Sequence, residues 1–301
     1  MKAAGGKLWW GVALGVALAV AGWVRLADLG RAATRSDEMN QLRYAERGGL
    51  EVAVDLWKNP PWFNQIPLMD GIPAVWCAWT GQKAEIGPVR QPMALMGWAT
   101  VALCAAWAWR RRGAAAGALT AAWLGLLPFQ VYHSREAYYY APLMLFAAWA
   151  TLRAVDLAGK LGEGREAKGR EYVEWGLAAL VTCLFHMSAW VAMAAAWAWI
   201  AVAGWLGLGG VREGAARKRH AAWWTGVAVA MMVGMSRWIL RALHELERVD
   251  TGETALVGNA AGWVLARLMP ILSIQMPPMM PKIIDGHSIA CLAITPTSVL
   301  L

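Results

Sequence analysis

The chain has 301 residues, 58% of them hydrophobic, and a mean hydropathy of +0.39. Soluble domains are about 45–50% apolar, so this composition argues for lipid as the solvent and against a soluble globular domain. The net charge of +8 needs no nucleic-acid partner, because Lys and Arg gather on the cytoplasmic side of membrane proteins. Cys77, Cys104, Cys183 and Cys291 are far apart and form no CxxC, so neither a disulfide framework nor a zinc site is indicated.

In chain order, uncharged runs occur at 8–24, 91–109, 113–132, 137–152, 175–211 and 221–236. The first exceeds the about 7–15 residues of a signal-peptide core and reads as an uncleaved first span. A helical span needs about 17–25 apolar residues. The run at 175–211 is too long for one span and divides into two short helices turning near His186 to Ser188. Seven spans result by residue 240, and 254–275, interrupted by Arg267, is an eighth span, a re-entrant piece or an interfacial helix. The fold class is therefore all-α: a polytopic transmembrane bundle of about 7–8 spans. Residues 1–250 form the membrane module, and 251–301 a C-terminal segment of unassigned structure.

Basic residues orient the spans. Lys2 and Lys7, Arg110 to Arg112, the loop with Arg153, Lys160, Arg165, Lys168 and Arg170, and the loop with Arg212, Arg217, Lys218 and Arg219 all fall on one side if the span count holds. That side is cytoplasmic, which leaves residues 25–90 and "YHSREAY" outside. Within 25–90, "SDEMNQLRYAER" carries a helix start signal, with Ser36 as N-cap and acidic residues in the first turn. Met39, Leu42 and Tyr44–Ala45 make it amphipathic, suited to lying along the membrane surface. "KNPPWFNQIPLMDGIP" is a Pro-broken turn followed by an apolar segment that also suits the interface.

Polar residues on the outer side are few and clustered. A charge near a bilayer centre costs at least about 2.5–3.5 kcal/mol, so Arg135 and Glu136 of "PFQVYHSREAYYYAP" belong at or beyond the interface. Asp37 and Glu38 open the first external helix, Arg90 stands before the second span, and His186 marks an outward turn. Each alone has a plain structural explanation as a cap, a snorkelling arginine or a helix-end histidine. Together they supply carboxylates, arginines and a histidine, which suits binding a phosphorylated substrate and deprotonating a hydroxyl.

The pieces "SDEMNQLRYA", "NPPWFNQIPL", "GQKAEIGPVRQPMALMG", "LLPFQVYHSREAYYYAPLMLFAAWATL" and "LFHMSAW", in that order, resemble the C-type (GT-C) membrane glycosyltransferases. The likeness is to the branch with protein O-mannosyltransferases and the bacterial aminoarabinose transferase of lipid A, and it runs from about residue 8 to about residue 205. It implies an inverting transferase that moves a sugar from a polyprenyl-phosphate carrier to an acceptor hydroxyl on a lipid, glycan or protein. The site would face the exterior of a bacterial inner membrane. Asp37 would be the base, and Glu38, Glu136 and His186 would support the site or hold a divalent metal. Arg90 and Arg135 would hold the carrier phosphate. The family's "HPP" is "NPP" here, so Asn59 takes no role that needs an imidazole, and many members run longer than this chain. A catalytically inactive scaffold related to these enzymes is one alternative. A transporter is another, although it would be expected to carry ionisable groups within its spans.

Overall fold

The computed structural model describes residues 2–31, 33–59, 68–186, 189–207 and 214–249. These are helical throughout: α1 (Lys2–Leu26), α2 (Ser36–Arg47), α3 (Gly49–Lys58), α4 (Leu68–Thr80), α5 (Ile86–Arg112), α6 (Ala114–Leu126), α7 (Pro128–Ser134), α8 (Tyr140–Gly162), α9 (Gly169–Cys183), α10 (Ala189–Gly207) and α11 (Gly214–Val249). The described residues up to 238 form one compact unit, and those from 239 on belong to a second. The expectations for residues 60–67 and 251–301, including the eighth span, lie outside the described residues.

Among the described residues four helices are long and apolar enough to cross a bilayer, Leu8–Leu26, Ile86–Arg112, Tyr140–Gly162 and Ala189–Gly207, and five if a bent pair counts as one span. Their outer faces carry large exposed apolar side chains, among them Trp9, Trp23, Trp199 and Trp205, where a water-soluble fold would place charge. The span expected at 113–132 is not one straight helix. It breaks into α6 and α7, bent by 63°. Pro128 has no N–H and forces the residue before it out of the helical region, and Leu127 is accordingly extended at φ −60, ψ 117. The run at 175–211 divides as expected into α9 and α10. However, α9 has 15 residues, about 22 Å at 1.5 Å per residue, short of the about 30 Å hydrocarbon core. The expected span at 221–236 lies within α11, which is not among the four.

Side-chain contacts fix which ends of the helices lie together. Arg25, at the end of α1, bonds Gly125 O and Leu124 O at the end of α6. Trp107 and Arg111 near the end of α5 reach Asp156 near the end of α8. Gly11 faces Trp109, so α1 and α5 run antiparallel. One end of the unit therefore gathers Arg110 to Arg112, Asp156, Lys160 and the α8–α9 loop. The opposite end gathers the end of α1, all of α2, Arg90 and the α7–α8 turn. Helix α11 connects them: His220 lies against Gly204 and bonds Tyr172 at 2.7 Å near the basic end, while Trp238 meets Trp57 of α3 edge-on at 5.5 Å.

Small residues let these helices approach. A Cβ on Gly125 would lie 2.9 Å from Ala21 Cβ, and one on Gly117 2.9 Å from Trp109 Cβ. A closer approach holds α5 to α7, where a Cβ on Gly97 would fall 2.1 Å from Ser134 Cβ. Without water to drive association, such close backbone packing is how helices in lipid gain contact energy.

Candidate functional site

The α2 N-terminus differs in one respect from the sequence expectation. Arg35, not Ser36, is the N-cap, extended at φ −87, ψ 159. Its N–H donates to Glu38 Oε2 at 3.0 Å, the return half of a capping box. The buried stripe of α2 is Glu38, Gln41 and Ala45, while Met39 is exposed. A helix buries polar side chains on its inner face when partners await them there.

Glu38 is 1% exposed and Arg90 2%. They meet as a two-point pair, with Arg90 Nε to Glu38 Oε1 at 2.7 Å and Arg90 Nη2 to Glu38 Oε2 at 2.6 Å. Arg90 also donates to Leu29 O at 2.8 Å and Ala33 O at 3.0 Å. The Ala137 amide donates to Glu38 Oε1 at 2.8 Å. One carboxylate thus ties α2, α5 and the α7–α8 turn together, and its partner arginine ties in the chain after α1. Burial alone would raise the Glu38 carboxyl. The Arg90 hydrogen bonds, the Arg35 and Ala137 amides and the Arg90 charge outweigh it and hold the pKa below the ordinary value.

Beside this pair lies a second, more open cluster. Arg35 Nη1 pairs with Glu136 Oε1 at 3.0 Å, the arginine side chain 54% exposed and the glutamate 8%. The same guanidinium donates to the Tyr132 hydroxyl and lies 5.0 Å from that ring's centre. Glu136 Oε2 and His133 Nδ1 are 3.2 Å apart; a carboxylate only accepts, so the imidazole is the donor. Phe129, Tyr132 and Tyr140 surround the His133 ring, with centres 4.4, 5.0 and 4.2 Å away.

The remaining expected residues separate. Asp37, one residue before Glu38, is exposed, and its carboxylate makes no hydrogen bond or ion pair among the described residues. Arg135 caps the end of α1, donating to Val24 O at 2.6 Å and Asp28 O at 3.4 Å. His186 stacks on Tyr139, with centres 4.4 Å apart and planes at 23°. Among the described residues no three or more His, Cys, Asp or Glu side chains converge on a cation position. Both Glu38 oxygens are already occupied by N–H donors, so Glu38, Glu136 and His186 as arranged do not fit a divalent metal.

Arg35, Arg25 and Asp70 were not singled out in the sequence, and His133 stood out there as part of the polar turn without a role of its own. Arg35 is the residue just before the "SDE" start signal, and N-cap positions are seldom filled by arginine. Arg25 ends the first apolar run, where a snorkelling role is the ordinary expectation. In fact it is fully buried and donates to Leu124 O at 3.1 Å, the carbonyl that the N–H missing from Pro128 would have bonded. Asp70 sits in the apolar-looking "LMDGIP" and had no local signal.

The architecture defines the class: a membrane-embedded helical protein with a buried ion pair and an open Arg–Glu–Tyr–His cluster at one end of its bundle. Comparison with protein-family models, with characterised proteins and with solved structures finds no match for this chain.

Proposed function

We propose that the chain is a membrane glycosyltransferase that moves a sugar from a polyprenyl-phosphate carrier to an acceptor hydroxyl at the outer face of the bacterial inner membrane, with inversion. The observation that carries this reading is the meeting of three distant segments at one end of the bundle: "RSDE" on α2, Arg90 on α5 and "HSRE" at the α7–α8 turn. They belong to three of the five pieces on which the resemblance to the GT-C transferases rests.

The three acids singled out in the sequence, Asp37, Glu38 and Glu136, are unequal at that end. Glu38 is consumed by Arg90 and two backbone amides, and Glu136 by Arg35 and His133. Of these three, Asp37 is the one that is exposed and has no partner among the described residues, which supports it as the base that takes the acceptor's proton. A phosphate leaving group needs little protonation, so a single base suffices, in contrast to the carboxylate pair of glycoside hydrolysis. Direct displacement on one face inverts the anomeric centre. Arg90, expected to clamp the carrier phosphate, is committed to Glu38 and acts here by holding α2 in place. Arg35 and Arg135 are the guanidinium groups more open to a carrier phosphate, with Arg35 able to exchange its Glu136 contact for phosphate oxygens.

The test uses purified full-length protein in vesicles with a polyprenyl-phosphate sugar and an acceptor pool from the cell envelope. Asp37→Asn should abolish transfer and leave carrier binding nearly intact. Transfer by Asp37→Asn at the parental rate would move the base elsewhere, and failure of the parental protein to bind any such carrier would remove the transferase reading. The sidedness is separable: in a cysteine-free background, Arg165→Cys should resist an impermeant thiol reagent applied from outside.

A further inference from the structure

Asp70, in the first turn of α4, is 5% exposed, and Gln41 on the inner face of α2 is 3% exposed. Gln41 Nε2 donates to Asp70 Oδ1. Gln41 Oε1 is buried with no hydrogen-bond partner among the described residues, and no cation pairs with Asp70 among them. An ionised Asp70 therefore leaves two defects in one place: a buried charge without a counter-ion and a buried acceptor without a donor. Each is unfavourable.

One proton removes both. A carboxylic acid and a primary amide are complementary: the amide N–H donates to the acid carbonyl, and the acid O–H donates to the amide carbonyl. The first of these bonds is present as Gln41 Nε2 to Asp70 Oδ1. The missing donor for Gln41 Oε1 is the O–H that protonation would place on Asp70 Oδ2.

We propose that Asp70 is a proton-binding site that locks α2 onto α4, forming a two-bond acid–amide pair with Gln41 when protonated and losing one of those bonds, in exchange for a buried charge, when ionised. Burial pushes the Asp70 carboxyl up to about 6, with the Gln41 hydrogen bond pulling the other way. On α2 the Tyr44 phenol faces it, raised first by burial and then by the Asp70 charge, while Arg47 and Arg43 oppose that shift. On α3, Glu51, Asp55 and Lys58 are exposed. On α5, Arg90 is held by Glu38. On α4 itself the other ionisable side chain is Cys77, whose thiol burial pushes up. Residues 60–67, just before α4, contain no ionisable side chain.

The sign follows from the raised value. The proton is held more tightly in the folded state, so the stabilisation is complete below the ordinary aspartate range and is lost as pH rises through about 6. The loss amounts to a factor on the order of 100 in the folded-to-unfolded ratio. Because α2 carries Asp37 and Glu38 and is capped by Arg35, the proton also controls how firmly the candidate site is seated. This inference does not depend on the transferase reading.

Asp70→Asn tests it, since asparagine reproduces the paired, neutral form at every pH, Nδ2 donating to Gln41 Oε1. Unfolding of full-length protein in detergent is followed from about pH 5 to about pH 8. The parental protein should lose stability across this window, and the parental-minus-variant difference should have its midpoint near 6. The infrared C=O band of a protonated carboxylic acid should be present at the acidic end, absent from Asp70→Asn, and shifted in Gln41→Met, where the amide partner is gone. Equal pH dependence in the parental and Asp70→Asn proteins would overturn the proposal. So would an Asp70→Asn variant that does not fold, because the neutral state is the one that the pair favours.

Discussion

At the basic end of the bundle, ion pairs are open to water. Arg219 and Glu166 pair at 2.6 Å with side chains 56% and 49% exposed, and Arg111 meets Asp156 at a half-open position. At the opposite end, Glu38 and Arg90 pair with 1% and 2% exposed. The first kind contributes little, because solvent screens the attraction and two long side chains lose freedom. The second kind cannot be left half-made, because water no longer reaches the charge that would remain. Surface pairs at the basic end decorate a topology set by other forces, whereas the buried pair joins α2, α5, the α7–α8 turn and the chain after α1 at the candidate site.

The largest effect that would break this contrast comes from Glu38→Ala, which strands the Arg90 guanidinium. It should cost about 3–5 kcal/mol, read as unfolding in detergent, and removing both partners together should cost less than the two single losses added. A cost below that of an exposed pair would mean that the buried pair does not hold the end of the bundle. The same pair sets an acid limit. Its carboxyl is held below the ordinary value of 4.5, so its contribution is present above that value and is lost as pH falls through the depressed one. Asp70 acts in the opposite direction, losing its contribution as pH rises, so α2 should be most firmly seated in a mildly acidic window. Stability profiles of Glu38→Gln and Asp70→Asn should each remove one side of that window.

Next in size is Gly97→Ala. The added Cβ would collide with Ser134, which is fully buried, and overpacking of this kind costs about 1–3 kcal/mol. Because α7 would be pushed away from α5, the variant should also weaken the Arg35–Glu136 contact; carrier binding and unfolding measured together would register both. The smallest effect belongs to Arg219→Ala at the basic end, within about 1 kcal/mol of the parental protein and vanishing at high salt. A large, salt-insensitive loss there would erase the distinction between the two ends.

The all-helical membrane class and four of the seven spans expected by residue 240 were legible in the sequence. Apolar runs, basic loops and the two-helix division of 175–211 are set by local composition, because in lipid each backbone must satisfy its hydrogen bonds within its own helix. The break at Leu127 was also open to inspection, since Pro128 stands inside the 113–132 run. The candidate site was legible only as an inventory. The residues Asp37, Glu38, Arg90, Arg135 and Glu136 could be assigned to one end, but their partners could not.

Composition and periodicity were therefore sufficient for the long apolar helices and for which polar residues share an end, since these depend on neighbours along the chain. Pairing depended on three-dimensional proximity: Glu38 with Arg90 across 52 positions, Arg25 with Gly125 across 100, and Gln41 with Asp70 across 29. Two adjacent acids, Asp37 and Glu38, look alike in sequence. On a helix they point about 100° apart, and the packing of α5 and the α7–α8 turn against one face buries Glu38 while Asp37 stays in the open.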